Sequence, residues 1–256
     1  MRHQSRLLFV RSRTYTAFAS TPRGSSMLSQ QDVIPLPVAT VVYPQQHPLA
    51  GQTGVVNAYA VCHSTGLILV DTGVGEGSPI IDALYQPVRQ TLTAALGAHG
   101  FVVKDVIALV NTHLHFDHCG QNRRFSGVPI YVQAVEYRAA QQPKFTIAAW
   151  VTFPGAVYHQ LNGETELAAG VSVVPTPGHT PGHQSLVLET DAGRVLLAGQ
   201  AVQSRADYAC LHDTGELPAD SAGPDDEAAY RASAQRLLSY AARRVYFSHD
   251  EAVWEG

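Results

Sequence analysis

The stretch Asn111-Thr112-His113-Leu114-His115-Phe116-Asp117-His118 constrains this chain more than any other. Four of its eight residues can bind a transition metal, in the spacing H-x-H-x-D-H. Imidazole and carboxylate donors together suit zinc and its neighbours, with affinity order and geometry deciding among them. Just upstream, Val106-Ile107-Ala108-Leu109-Val110 is a short apolar run of buried-strand type. The donors therefore leave the end of a strand, where a rigid scaffold can aim a loop. In extended chain, positions two apart point the same way. His113 and His115 can then grip one ion, while Asp117 and His118 reach a second beside it. A lone histidine is usually a surface or core residue with satisfied hydrogen bonds. Three histidines and an aspartate within six positions read as a metal site.

Such a site needs a sizeable scaffold. The 256 residues suffice for one large α/β domain, and 45% hydrophobic against 15% charged residues allows a substantial core. Net charge is −4, with 15 Arg and 2 Lys, so there is no basic field for nucleic acid. No apolar run approaches the ~18 residues of a membrane span. Cys62, Cys119 and Cys210 form an odd, sparse set without a disulfide framework. A reducing compartment, the cytoplasm, is expected. Residues 1–31 hold five Arg and many Ser and Thr, with no acid before Asp32. That is the composition of an organelle transit peptide, or of sequence upstream of a true start at Met27. Residues 1–30 are therefore read as an extension, disordered or from a start assigned too early, and 31–256 as the folded domain.

From there the chain alternates. Residues 38–43 read as a strand between Pro37 and Pro44, and 55–62 and 67–70 as a hairpin turning at 63–66. The Gly-rich turn 71–77 is not a phosphate loop, because no Gly-Lys-Ser/Thr follows. Pro79 opens an amphipathic helix to about Leu96. Residues 130–132 form a strand and 134–142 a helix. The aromatic segment 144–163 is either a substrate-facing cover or core. Residue 171 opens a strand to 175, followed by a tight turn at 176–183 and a hairpin of 184–189 with 194–198. Residues 203–224 look irregular, 225–240 helical, and 245–247 form a last short strand. Strands and helices repeated in two halves suggest an α/β (α+β) four-layer αββα sandwich with its loops at one edge.

Three later residues stand at strand ends: His179 in a Pro/Gly turn, Gln200 after Gly199, and His249. Each could complete a metal site begun at 113–118. His183 fits better as support for a ligand than as a ligand.

These motifs resemble the metallo-β-lactamase superfamily and, within it, the N-acyl-homoserine lactonases. The resemblance covers roughly residues 35–254. It rests on Thr112-His113-Leu114-His115-Phe116-Asp117-His118-Cys119-Gly120, on Pro129-Ile130-Tyr131-Val132-Gln133 followed by Glu136-Tyr137, on Pro177-Gly178-His179-Thr180-Pro181-Gly182-His183-Gln184-Ser185, and on Phe247-Ser248-His249-Asp250. It implies a metallo-β-lactamase sandwich with two zinc ions side by side. His113, His115 and His179 would hold the first, and Asp117, His118 and His249 the second. Asp71 resembles the family's aspartate that buttresses a ligand loop.

One position departs. Where the family places a metal-bridging Asp, this chain has Gln200, and Gln203 stands where lactonases usually carry a Tyr. An amide oxygen carries no charge. Two Zn²⁺ with Asp117, a bridging Asp and hydroxide sum to about +1, whereas with Gln200 the sum is about +2. One zinc is therefore expected to bind tightly and the second more weakly, unless Asp207, Asp213 or Cys210 supplies the missing charge. The resemblance implies that metal-bound hydroxide attacks a lactone or ester carbonyl, with Asp117 orienting the nucleophile and carrying its proton. N-acyl-homoserine lactone hydrolysis (quorum quenching) is the expected activity. The alternatives are hydrolysis of another ester, a thioester or a β-lactam, or a silent metal-binding relative in which Gln200 abolishes catalysis. Expected partners are a small-molecule lactone or ester and neither nucleic acid nor membrane, with a homodimer left open.

Overall fold

The apolar runs pair into two sheets in the computed structural model, which describes residues 27–218 and 225–256. The first sheet contains β1 (Val33–Val42), β2 (Thr53–His63), β3 (Gly66–Val70), β4 (Val88–Arg89), β5 (Val106–Val110), β6 (Pro129–Gln133) and β7 (Val157–Leu161). Its spatial order is β4-β1-β2-β3-β5-β6-β7. The second contains β8 (Thr165–Ala168), β9 (Val171–Pro175), β10 (Gln184–Thr190), β11 (Gly193–Leu197), β12 (Arg244–Phe247) and β13 (Asp250–Glu255), in the order β13-β12-β11-β10-β9-β8. The helices among the described residues are α1 (Pro79–Tyr85), α2 (Leu92–Ala98), α3 (Ala134–Ala139), α4 (Ala148–Val151), α5 (Arg205–Thr214) and α6 (Glu227–Ser239).

Side-chain alternation along the strands builds the layers. On β3, Ile68 and Val70 face the second sheet, while Leu67 and Leu69 pack outward with Ile81 of α1 and Leu92 and Leu96 of α2. On β10 and β11, Leu186, Leu188, Val195 and Leu197 face the first sheet. Val187 and Leu196 turn outward to Tyr208 and Leu211 of α5 and Tyr230, Ala234 and Leu237 of α6. Strands covered on both faces must be apolar throughout, which is why these segments read as unbroken runs. The result is the αββα sandwich. Each fully buried Leu or Val contributes ~1.5–3 kcal/mol of transfer free energy.

Several elements differ from the sequence expectation. β1 begins at Val33, and Pro35 and Pro37 lie inside it. They are tolerated because β4 pairs only with Ala39 and Thr40, leaving the earlier part of β1 as a sheet edge with exposed prolines. The helix expected from Pro79 to Leu96 is two helices. Pro87 cannot donate into a ladder and disfavours helical backbone at Gln86, which takes a left-handed φ of 44° and ends α1. Thr91 then caps α2 by accepting from the Ala94 N–H. The region 203–224 is not irregular throughout. Ser204 and Asp207 cap α5, and Gly215 closes it in the left-handed region. The segment 144–163 supplies α4 and β7, with Trp150 and Val151 packed in the core. A further strand, β13, follows β12.

The folded body starts before the boundary drawn at residue 31. Leu28, 6% exposed, packs into the inter-sheet core, and its carbonyl accepts the Asp191 N–H at 2.8 Å. Asp32 caps the short turn after it by accepting from the Ser29 N–H. Residues 1–26, the bulk of the expected extension, lie outside the described residues. No helix among the described residues is long and apolar enough to cross a membrane. Leu28→Ala is expected to destabilise the fold by ~2–3 kcal/mol, the lower end of the range for a buried leucine, read as a shift of the urea midpoint. An unchanged midpoint would show that residue 28 is no part of the core.

Candidate metal centre

Two parallel strand pairs bring the ligand-bearing loops to one edge. β3 and β5 pair in parallel with Val70 opposite Val110, so Asp71 and Asn111 leave the first sheet side by side. β11 and β12 pair in parallel, so Gln200 and His249 leave the second sheet together, with the Ser248 N–H on the Gly199 carbonyl at 3.3 Å. The turn carrying His179 joins β9 to β10, and the Gln184 N–H donates to Thr112 O at 2.8 Å, tying the two sheets at the site.

Among the described residues, two groups of donor atoms converge: His113, His115 and His179, and Asp117, His118 and His249. In the first, His115 Nδ1 lies 3.1 Å from His113 Nε2 and 3.2 Å from His179 Nε2. In the second, Asp117 Oδ2 lies 3.8 Å from His118 Nε2 and 3.5 Å from His249 Nε2. Donors on a tetrahedral zinc, each about 2.0–2.1 Å from the ion, stand roughly 3.3–3.4 Å apart, which these spacings bracket. His118 Nε2 is buried and has no hydrogen-bond partner in the protein. A buried polar atom is rarely left so. An orphaned imidazole nitrogen facing a carboxylate and a second imidazole is what a metal ligand looks like in the absence of its ion, so the donor sets fit a pair of divalent cations.

The rings are held from behind. Asp71, buried and at φ 59°, accepts the Thr112 N–H on Oδ1 at 2.8 Å. Its Oδ2 accepts the Thr112 hydroxyl at 2.7 Å and His118 Nδ1–H at 2.8 Å, which points His118 Nε2 into the site. His249 donates Nδ1–H to the Val55 carbonyl of β2 at 2.8 Å, again leaving Nε2 free to bind. His183 is no ligand: Nδ1 donates to Thr176 O at 3.1 Å and Nε2 accepts the Gln200 N–H at 2.9 Å. Gly199, at φ 63°, allows that contact, because a Cβ there would stand 2.6 Å from His183 Nε2.

Burial, reinforced for His113 by His118 and for His179 by His115, pushes both rings well below the usual imidazole range. Burial takes His115 down to about 4 against the pull of Asp117, and His183 down to about 3. The first cluster is therefore a neutral, lone-pair-bearing set at pH 7, the form that metals need. Burial would raise the Asp117 carboxyl, but His118, His249 and His115 hold it below its ordinary value. Burial would lower His118, yet Asp71 and Asp117 bring it out raised.

Gln200 is 8% exposed, and its side-chain amide reaches the His118 ring closely enough to help raise it, yet makes no well-formed hydrogen bond to Nε2. None of the groups considered as replacements for a bridging carboxylate joins either cluster. Asp207 is engaged in capping α5, Asp213 pairs with His212 at the surface, and Cys210 Sγ contacts Thr214 Oγ1. Sequence reasoning gave no role to Glu136, a buried acid whose carboxylate accepts from both ligand loops. Its position in the first turn of a helix directly after an apolar strand was the available signal. The Val55 carbonyl left no trace in the sequence, because every residue carries one.

An αββα sandwich with two groups of His and Asp donors at its loop edge is the architecture of a metal-dependent family, and the two groups are its candidate metal-binding positions. The metallo-beta-lactamase superfamily pattern matches residues 51–249, and the chain belongs to that superfamily. An N-acyl homoserine lactonase of a Bacillus species is 34% identical over 201 residues, spanning 72% of this chain and 77% of the relative. The N-acyl homoserine lactonase AiiA of Bacillus thuringiensis subsp. kurstaki is 32% identical over the same shares. Among solved structures, an N-acyl homoserine lactone hydrolase with the product N-hexanoyl-L-homoserine bound at its catalytic metal center superposes with a TM-score of 0.72 at 25% identity, covering 88% of this chain and 94% of that one. A quorum-quenching N-acyl homoserine lactone lactonase gives 0.71 at 27% identity, covering 88% and 93%.

The buried rings carry a pH dependence. In an unfolded chain they take up protons near pH 6.5, but in the fold His115 does so only near 4 and His183 near 3. Between those values the unfolded chain binds more protons at these rings, so stability falls as pH falls, opposed in part by Glu136, whose carboxyl burial raises. His118, raised by Asp71 and Asp117, acts above that window: the stability it adds is lost as pH climbs past 6.5. The melting temperature of the chelator-stripped chain should ease downward above pH 6.5 as His118 gives up its proton, and decline from pH 6.5 towards pH 4. A melting temperature that rises over that interval would contradict the neutral assignment of these rings.

Proposed function

We propose that this chain is a zinc-dependent lactonase that opens N-acyl homoserine lactones. The observation that carries the reading is the pair of convergent donor clusters, one of three imidazoles and one led by Asp117, in a fold shared with lactonases. Bound divalent cations would supply water activation at neutral pH and polarisation of the lactone carbonyl. His113, His115 and His179 would hold the tighter ion; Asp117, His118 and His249, with Gln200 alongside, would hold the weaker. Asp117, ionised at neutral pH, is the catalytic group: it orients the attacking water, accepts its proton and returns it to the leaving alkoxide oxygen. Asp71 and His183 keep the ligands aimed. Phe145, its ring 5.0 Å from that of His115, and the Tyr85–Phe116 pair, 4.4 Å apart, offer apolar walls that suit an acyl chain. The reading assigns the enzyme to the cytoplasm, supported by three free cysteines.

A second reading is a silent metal-binding relative, and Gln200 is what favours it. A neutral amide cannot offset the repulsion of two cations as a carboxylate does. Metal content and hydrolysis measured on one sample separate the readings. Wild type should retain close to one tightly held zinc after dialysis and open N-hexanoyl-homoserine lactone. His115→Ala should lose that zinc and all hydrolysis. Gln200→Asp should tighten the second site by about 10–100-fold and raise turnover. Metal without hydrolysis of any lactone, thioester or β-lactam in wild type would leave the silent reading standing. Two tightly held metals in wild type, with activity lost in Gln200→Asp, would make Gln200 an adapted ligand and overturn the weak-second-site argument.

A further inference from the structure

The Glu136 side chain is fully buried, and the hydrolytic reading gives it no part. It stands in the first turn of α3, directly after β6. Oε1 accepts the Leu114 N–H at 2.8 Å. Oε2 accepts the Thr180 hydroxyl at 2.7 Å and the Gly182 N–H at 3.0 Å. Leu114 lies between His113 and His115, and Thr180 directly follows His179. One carboxylate therefore joins the loop carrying two rings of the first cluster to the turn carrying the third. The turn also touches the helix backbone to backbone. A Cβ on Gly182 would stand 2.3 Å from the Glu136 nitrogen, so only glycine allows this approach.

A buried carboxylate is costly unless hydrogen-bonded donors surround it. Here three donors face it, and two are backbone N–H groups that cannot reverse their role. The ionised form is the one that satisfies both loops. The second cluster is braced differently, by Asp71 behind His118 and the Val55 carbonyl behind His249.

We propose that Glu136 is a positioning residue for the three-histidine site: its two oxygens set the separation of the His113/His115 loop from the His179 turn, and with it that site's affinity for a divalent cation. The inference rests on the metal-centre reading above. Groups behind metal ligands commonly change affinity by about 10–100-fold when removed. Glu136→Gln keeps the size and one acceptor oxygen but turns an NH₂ towards one of the two N–H groups, so it can hold only one loop. Glu136→Asp, a methylene shorter, cannot span both. Thr180→Ala removes one donor and leaves both backbone links.

The test is competition of Zn²⁺ between the chelator-stripped full chain and a chromophoric chelator, with the melting temperature of each metal-free variant alongside. Glu136→Gln is expected to weaken the tight site by about 10–100-fold while leaving the second site as in wild type. Thr180→Ala should weaken it less. Should Glu136→Gln fail to fold, Glu136→Asp and Thr180→Ala carry the comparison. A variant with a lower melting temperature but wild-type zinc affinity would overturn the proposal, because Glu136 would then serve the fold alone. Equal weakening of both sites would overturn it too. A wild-type chain that takes up no zinc would remove the metal-centre reading itself. Unchanged affinity in Glu136→Gln beside a zinc-binding, active wild type would remove only the role of Glu136.

Discussion

The structure depends on six donor atoms facing one another in a nearly dry place. Burying imidazoles this close to each other is unfavourable by itself: desolvation and mutual repulsion drive His113 and His179 far down in basicity. The backbone does not relieve this. Instead His118 Nε2 is left without a hydrogen bond, facing Asp117 at 3.8 Å, while its other nitrogen is anchored on Asp71. A chain that holds such a set together in one geometry spends stability that a bound cation can return, since binding only the folded state stabilises it.

The sandwich makes that geometry possible. Parallel pairing of β3 with β5 and of β11 with β12 sends four loops out of the same edge, and the strands beneath are buried on both faces. Rigid strand ends then become candidate ligand positions. Fixed partners behind two rings, Asp71 at His118 and the Val55 carbonyl at His249, convert strand-end placement into ring orientation, while Glu136 ties together the backbones of two loops.

Much of this was legible in the sequence, and for a physical reason in each case. The H-x-H-x-D-H spacing, the Pro/Gly turn around His179 and the apolar runs before them are local signals, and the strands and both clusters follow them. What was not legible depended on contacts distant in sequence. Pro35 and Pro37 sit within a strand because the short β4 leaves them on an edge. Pro87 did carry a local signal, and the helix breaks there. Leu28 is anchored by Thr190 and Asp191, far along the chain, so composition alone placed it in an extension. Asp207 looked close enough to replace a bridging carboxylate, yet α5 uses it as a cap. Glu136 stood in a legible place, the first turn of a helix after an apolar strand, but the backbone groups it accepts from lie on two distant loops.

The central claim is that the three imidazoles hold one cation firmly and that the Asp117 cluster, lacking a bridging carboxylate, holds a second less firmly. Anomalous scattering from crystals of the dialysed protein, recorded on both sides of the zinc edge, tests it most directly. The account predicts a strong peak among His113, His115 and His179 and a weaker one among Asp117, His118 and His249. No peak at the three histidines, or a peak confined to the second cluster, would contradict it.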